Sequence, residues 1–281
     1  MTHQFILIDA SYMCFYRYYS IINWWNHTFK KNNENIPIEE PINNEIFVEK
    51  FKKTFIDKIK LISKRLNIDN PILIVGKDCK REHIWRTALY PEYKGTRIRN
   101  DFKGGPIFKM VYDEDLFIQA GVKHILYHEK LEADDCIAIS CKHLLNIYPD
   151  CNITIIASDK DYLQLRETRV QIFNLDCVDI SKSKWVSNLC NNDTGIDNPE
   201  CDLFCKIIMG DTSDNISSVF PKCGPKTALK YYNNKQLFES QLIKHNAHDK
   251  YIFNKKLMDF NEIPIELVNE FMEQNINYLI H

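Results

Sequence analysis

Three carboxylates crowd into Glu132-Ala133-Asp134-Asp135, immediately ahead of an apolar periodic stretch. Ala133, Ile137, Cys141, Leu144 and Leu145 recur every three to four residues, which predicts a helix with one face in the core and its acids in the first turn. Glu132 and Asp135 then share a side. Carboxylates gain about 0.3–1 kcal/mol each at a helix N-terminus, which would account for this group by itself. Further acids stand elsewhere. Ile153-Thr154-Ile155-Ile156-Ala157 reads as a buried strand, with Asp159 and Asp161 just past its carboxyl end, where open parallel sheets place their sites. Asp9 follows the apolar run Phe5-Ile6-Leu7-Ile8, and Asp78 follows Ile72-Leu73-Ile74-Val75 and Gly76-Lys77. Asp9 alone would serve equally as a helix N-cap. Taken together, acids at adjacent strand ends would converge. Two unit charges about 4 Å apart repel by roughly 4 kcal/mol at an effective dielectric of about 20, more than helix dipoles return. Such a cluster would need divalent cations.

Cations interleaved with aromatics follow Asp78. Arg81, Arg86, Lys94, Arg97, Arg99 and Lys103 alternate with Trp85, Tyr90, Tyr93 and Phe102 until Gly104-Gly105-Pro106 breaks the segment. A charged, solvated face would carry fewer aromatics, and the mixture suits phosphates and unstacked bases.

The elements that would position these groups read as α/β. Strands at Phe5–Ile8, 72–75, 122–126, 153–157 and 170–174 are separated by helical patterns, which predicts a mostly parallel central sheet flanked by helices. The aromatic-rich segment Tyr12 to Trp25 reads as a helix, and Phe47, Phe51, Phe55, Ile59, Ile62 and Leu66 mark one face of an amphipathic helix. Asn26 to Asn44, with Pro37 and Pro41, reads as an irregular surface connection. A polar stretch from Trp185 to Pro199 marks the expected boundary between a domain over 1–190 and a helical one over 191–281. In the latter, Asp202 to Met209 runs into Gly210-Asp211-Thr212-Ser213-Asp214-Asn215. Pro225 then opens a helix whose first turn, with Gly224, Lys226 and Thr227, suits a phosphate. Gly-Pro-Lys-Thr is too short for a nucleotide P-loop.

At 281 residues, 44% hydrophobic and 26% charged, the chain has the composition of a soluble globular protein. It shows no apolar run of about 20 residues and no signal-peptide pattern, which predicts an intracellular protein free of membrane. Ten cysteines without CxxC pairs, several in apolar patterns such as Cys136, Cys141 and Cys205, predict reduced core thiols rather than disulfides or a zinc site. The formal charge of −2 argues at first against nucleic acid, but setting nine clustered acids aside leaves +7 on the remainder.

Leu131-Glu132-Ala133-Asp134-Asp135, Ser158-Asp159-Lys160-Asp161, Gly210-Asp211-Thr212-Ser213-Asp214-Asn215 and Gly224-Pro225-Lys226-Thr227-Ala228, in that order, resemble the structure-specific 5′-nuclease family. This family includes flap endonucleases, the 5′-nuclease domain of bacterial DNA polymerase I and phage enzymes that remove RNA primers. Trp85-Arg86 and Tyr93-Lys94-Gly95 are most similar to the phage primer-removing, RNase H-type branch. The resemblance implies a PIN-like core with a short arch near 80–120 and a C-terminal helix–three-turn–helix that grips duplex DNA. It also implies two Mg²⁺ or Mn²⁺ ions. Asp9, Asp78, Glu132, Asp134 and Asp135 match the first-metal acids, and Asp159, Asp161, Asp211 and Asp214 the rest. Lys94 and Arg97 would act on the scissile phosphate, Tyr93 would stack a terminal base, and Arg81, Arg86, Lys222, Gly224, Lys226 and Thr227 would contact nucleic acid. K⁺ at the helix–three-turn–helix is a further expectation, although Pro221-Lys222-Cys223 replaces the usual glycine-rich turn. The implied activity is 5′-3′ exonuclease or flap endonuclease cleavage in DNA replication and repair. Branched or 5′-ended duplex DNA or RNA/DNA hybrid would be the substrate, and a clamp, polymerase or single-strand-binding protein the partner of a monomer, in a host cell or a virus. A junction-binding protein of the same fold and a PIN-type ribonuclease are the alternatives.

Overall fold

The computed structural model describes residues 2–30, 41–97, 102–180 and 198–279. Five strands, β1 (Gln4–Asp9), β2 (Ile72–Gly76), β3 (His124–Leu126), β4 (Asn152–Ile156) and β5 (Val170–Phe173), form one sheet in the order β3-β2-β1-β4-β5. Every pairing is parallel, so all carboxyl ends lie on one edge.

Strand alternation builds two cores, one on each face. Phe5 and Leu7 of β1 join Ile74, Ile153 and Ile155 beneath one helical layer, while Ile6 and Ile8 join Leu73, Val75 and Ile156 beneath the other. Burial on both faces explains why these strands read as continuous apolar runs. The second layer contains α1 (Ala10–Lys30), α2 (Glu45–Leu66), α4 (Gly105–Asp113) and α5 (Leu116–Gln119); a short α3 (Trp85–Leu89) precedes α4 in the chain. The first layer is α6 (Ala133–Ile147), covered in turn by the chain's last helix. The stretch 80–120, expected to form a short arch, has no pair of long helices among its described residues. Ile107, Met110, Val111, Leu116 and Phe117 instead bury α4 and α5 in the core.

After 198 the chain is helical: α7 (Pro199–Met209), α8 (Pro225–Asn233), α9 (Lys235–His245), α10 (His248–Met258) and α11 (Ile265–Leu279). α7, α8 and α9 share their own core around Cys205, Phe220, Phe238 and Leu242. The expected domain boundary falls outside the described residues. From Phe260 onward the chain returns to the sheet, with Phe260, Leu267 and Phe271 packed in the α6 core. A small cluster of Ile84, Tyr93, Ile207, Ile216, Leu257 and Met258 ties the 84–93 segment to α7 and α10.

The cysteines need one correction. Cys14, Cys79, Cys136, Cys141, Cys151, Cys177, Cys205 and Cys223 are free thiols, but Cys201 is disulfide-bonded. Burial does not distinguish a thiol from a half-cystine, so the apolar pattern could not single it out.

Candidate metal centre and phosphate site

β1 ends in Asp9, Asp78 lies two residues past β2, and Asp159 lies three past β4. Because these strands are neighbours and parallel, their acids meet at one edge. Close packing helps: a Cβ on Gly76 would lie 2.7 Å from the Ala133 carbonyl oxygen, so only glycine lets β2 approach the start of α6 this tightly. Asp78 then accepts the Ala133 N–H at 2.8 Å and the Ser11 hydroxyl. Asp9 accepts the Tyr12 N–H and the Tyr162 hydroxyl, each at 2.9 Å, so it caps α1 and faces the site at once. Asp9, Asp78, Glu132, Asp134 and Asp159 line one cavity of about 520 Å³ with Ser11, Arg81, Lys94, Arg97 and Tyr162.

The helix-start acids divide. Glu132, Asp134 and Asp135 place ligand atoms within 4.8 Å of one another, yet Asp135 points away from the cavity. Asp135 is fully buried, receives both terminal nitrogens of Arg86 at 2.8 Å and the Trp85 Nε1–H at 3.0 Å, and reaches back to the Glu132 N–H at 3.1 Å. Arg86, 2% exposed, also donates to Glu132 at 2.9 Å and to the Leu257 carbonyl at 2.8 Å. The expectation that Arg86 contacts nucleic acid therefore meets a buried guanidinium with four of its five N–H donors engaged inside the protein. Tyr93, expected to stack a base, is likewise buried. Its hydroxyl donates at 3.1 Å to carboxylate oxygens of both Glu132 and Asp214.

A second group contains Asp161, Asp211 and Asp214, whose ligand atoms also lie within 4.8 Å of one another. Asp211 accepts the Ser213 N–H at 2.8 Å and its hydroxyl at 2.6 Å. Gly210 makes this turn possible at φ +74, where a Cβ would meet the Ile216 carbonyl at 2.4 Å. Lys206 of α7 ion-pairs with Asp161 and, at 3.1 Å, with Asp211. Asp214 holds Arg97 at 2.6 Å and Lys94 at 4.0 Å. Lys94, in the left-handed region at φ 55, also pairs with Glu132, while Arg81 donates to the carbonyls of Lys94 and Arg97 and secures that turn. Asp159 and Asp211 line an adjoining cleft of about 560 Å³ with Lys160 and Lys206. Further off, Lys222 and Lys226 are exposed, and Gly224 caps α8; the Thr227 N–H already donates to the Gly224 carbonyl at 3.0 Å, leaving its amide engaged.

The two groups differ electrostatically. Burial, then the neighbouring Asp78, pushes the Asp9 carboxyl up to about 7. Burial, then Asp135 and Glu132, raises Asp134 well above the usual carboxylate range. Glu132 is also penalised by burial, but Lys94 and Arg86 outweigh it and hold its carboxyl low. Asp211 is lowered in the same way: burial works against it, and Lys206 and Ser213 win. Burial would lower Lys94, yet Glu132 and Asp214 raise it, so it stays charged. The donor atoms that Asp9, Asp78, Asp134 and Asp159 offer to the cavity are all hard oxygens, and burial, then neighbouring carboxylates, leaves Asp9 and Asp134 reluctant to ionise. That donor set fits a divalent cation.

Ser11, Tyr162 and Lys206 were not among the residues singled out from sequence, and Trp85 was read there only as one of the aromatics interleaved with cations and as part of the Trp85-Arg86 motif. Ser11 and Tyr162 carried a weak signal, each within three residues of a strand-end acid. Lys206 carried no signal beyond its place in the stretch Asp202 to Met209.

A family model described as the 5′-3′ exonuclease, N-terminal resolvase-like domain, matches residues 4–191. The chain belongs to the 5′-3′ exonuclease family. Its matched range contains Asp9, Asp78, Glu132, Asp134 and Asp159. Relatives of the chain include DNA polymerase I of Treponema pallidum, 33% identical over 152 residues, covering 51% of this chain and 14% of the polymerase. They also include the 5′-3′ exonuclease of Bacillus subtilis, 28% identical over 146 residues, 52% of this chain and 47% of that protein. The match thus spans less than half of either relative. Among solved structures, the D15 protein of bacteriophage T5 crystallised with metal ions superposes with a TM-score of 0.66 at 17% identity, covering 99% of this chain and 100% of that one. A mutant T5 D15 flap endonuclease in complex with DNA and metal ions gives 0.64 at 15% identity, with coverages of 99% and 100%. The sheet and its helical layers are therefore the fold of the T5 enzyme. No described helix is long and apolar enough to cross a membrane.

Proposed function

We propose that the chain is a divalent-metal-dependent 5′-nuclease that hydrolyses phosphodiester bonds at 5′ ends or 5′ flaps of DNA and of RNA/DNA hybrids. The observation that carries this reading is the shared cavity, in which Asp9, Asp78, Glu132, Asp134 and Asp159 face Lys94 and Arg97. Asp9, Asp78, Glu132, Asp134 and Asp159 would hold one Mg²⁺ or Mn²⁺, and Asp161, Asp211 and Asp214 a second, with Asp135 supporting from behind. Such ions supply charge neutralisation at the phosphate and an acidified water at neutral pH. The chain's own residues do the remainder. Arg86 fixes Glu132 and Asp135 as a rigid pair. Tyr93, held protonated by burial and by Glu132, donates to acids of both groups and keeps them in register. Lys94 and Arg97 bring positive charge to the rim, where they would engage the scissile phosphate; Arg is suited to bidentate contact. The turns between α7 and α8, with Lys222, Gly224, Lys226, Thr227 and an accessory K⁺, would hold the duplex backbone, acting with a clamp, polymerase or single-strand-binding protein at an intracellular site of replication or repair.

Cleavage of an end-labelled 5′-flap duplex, with DNA and RNA flaps, in Mg²⁺ or EDTA, tests the reading. Metal-dependent products at or near the junction are expected, with flap chemistry and product length reporting primer removal or flap cutting. Tight binding of the branched substrate without cleavage in any divalent metal would instead leave a junction-binding protein of the same fold.

A further inference from the structure

The acid pit is neutralised from within unevenly: in the first group only Glu132, which pairs with Lys94 and Arg86, holds cations of the chain. Asp9 and Asp78 accept from tyrosine and serine hydroxyls and backbone N–H groups, Asp134 from the Asp135 N–H and Asp159 from the Asp161 N–H, all neutral donors. Each acid of the other group holds a cation of the chain itself. Arg97 and Lys94 serve Asp214, and Lys206 serves both Asp161 and Asp211.

Lys206 is not a loosely tethered surface lysine. Its side chain is 15% exposed, and its carbonyl accepts the Gly210 N–H at 2.9 Å, so the C-terminus of α7 and the Gly210 turn fix it relative to Asp211. An ammonium bridging two carboxylates occupies the place a divalent cation would take between them. For such an ion to bind, the pair must break and the ammonium must be rehydrated, whereas Asp9, Asp78, Asp134 and Asp159 accept only from neutral donors and have no such cation to displace. The adjoining cleft of about 560 Å³, lined by Lys206, Asp211 and Thr212, gives the released side chain somewhere to turn.

We infer that Lys206 is the resident cation of the Asp161, Asp211 and Asp214 cluster, and that a divalent cation must displace its ammonium to bind there. The cluster around Asp9, Asp78 and Asp134 consequently fills first. This rests on the metal-dependent reading above and assigns Lys206 the control of the weaker site.

Titration of the full chain with Mn²⁺, followed by calorimetry and by the loss of the free-ion electron spin resonance signal, tests it without any substrate. The wild type is expected to show a tighter and a weaker class of sites, with Asp134→Asn removing the tighter. Lys206→Met should tighten the weaker class by about tenfold or more, the scale of removing one adjacent positive charge. Lys206→Arg, which keeps the charge, should leave it within about twofold of wild type. Should the Met variant fail to melt cooperatively, Lys206→Gln, similarly uncharged but polar, takes its place. A weaker class that is unchanged or weakened in the neutral variant, with the tighter class intact, overturns the role of Lys206 alone. Failure of the wild type to bind Mn²⁺ at all overturns the metal-dependent reading, and this inference with it.

Discussion

At the scale of single residues, the site separates acids that await a cation from acids that already own one. Asp134 belongs to the first kind. Burial and neighbouring carboxylates raise it, so removing its charge relieves repulsion while deleting a ligand. Asp134→Asn should therefore lower cleavage at least about a hundredfold, the scale of losing one positioned charge-stabilising group, and yet melt above wild type in EDTA. Gel assays and calorimetry on one preparation check both. Glu132 and Asp135, both held by Arg86, belong to the second kind. Arg86→Met strands Asp135 and Glu132 as buried charges and should destabilise the fold by about 3–5 kcal/mol in urea titrations. Sequence placed Glu132 and Asp135 on one side of a helix, which holds, because helical period is local. It could not show that their shared partner lies 46 and 49 residues away, so Arg86 and Tyr93 looked like surface groups for nucleic acid. A cation among aromatics has the same local pattern whether it faces solvent or a buried carboxylate.

At the scale of elements, legibility follows how each segment is buried. β1, β2 and β4 are covered on both faces, so their apolar runs were plain and the acids just past them were recognisably at strand ends. α4 and α5 were harder: the glycines and proline before Ile107 read only as a break in the segment, and spacing alone does not say that Ile107, Met110 and Phe117 find a core contributed by α1 and α2. The turn from α7 into Asp211 sets two carboxylates against Lys206 and depends on a backbone conformation that only glycine adopts without strain. Gly210→Ala should cost about 1–3 kcal/mol in stability and disorder the Asp161 and Asp211 group. Mn²⁺ titration should then lose the weaker class of sites while the tighter one survives.

At the scale of the whole molecule, the acid pit makes stability depend on pH. In the folded protein the Asp9 carboxyl is pushed up to about 7 from an ordinary 3.8. Between those values the native state holds a proton that the unfolded chain releases, so this contribution to stability is present at low pH and is lost as pH rises through about 7. Asp211, which is lowered, acts oppositely but below its ordinary range, so the two windows do not overlap. In EDTA the melting temperature should fall between about pH 5 and pH 7.5, and Mg²⁺ should restore it, more at the higher pH, because binding requires the ionised form. A melting temperature that rises over this window without metal would contradict the assignment. The acids themselves are drawn from Asp9 through Asp214, and the helix that closes the core over α6 is α11. During vectorial synthesis on the ribosome, then, the earliest ligand emerges some two hundred residues ahead of the latest. A growing chain carries isolated carboxylates but no assembled centre, and the cleavage proposed for it would be withheld from nascent chains until the segment carrying Asp214 has been made.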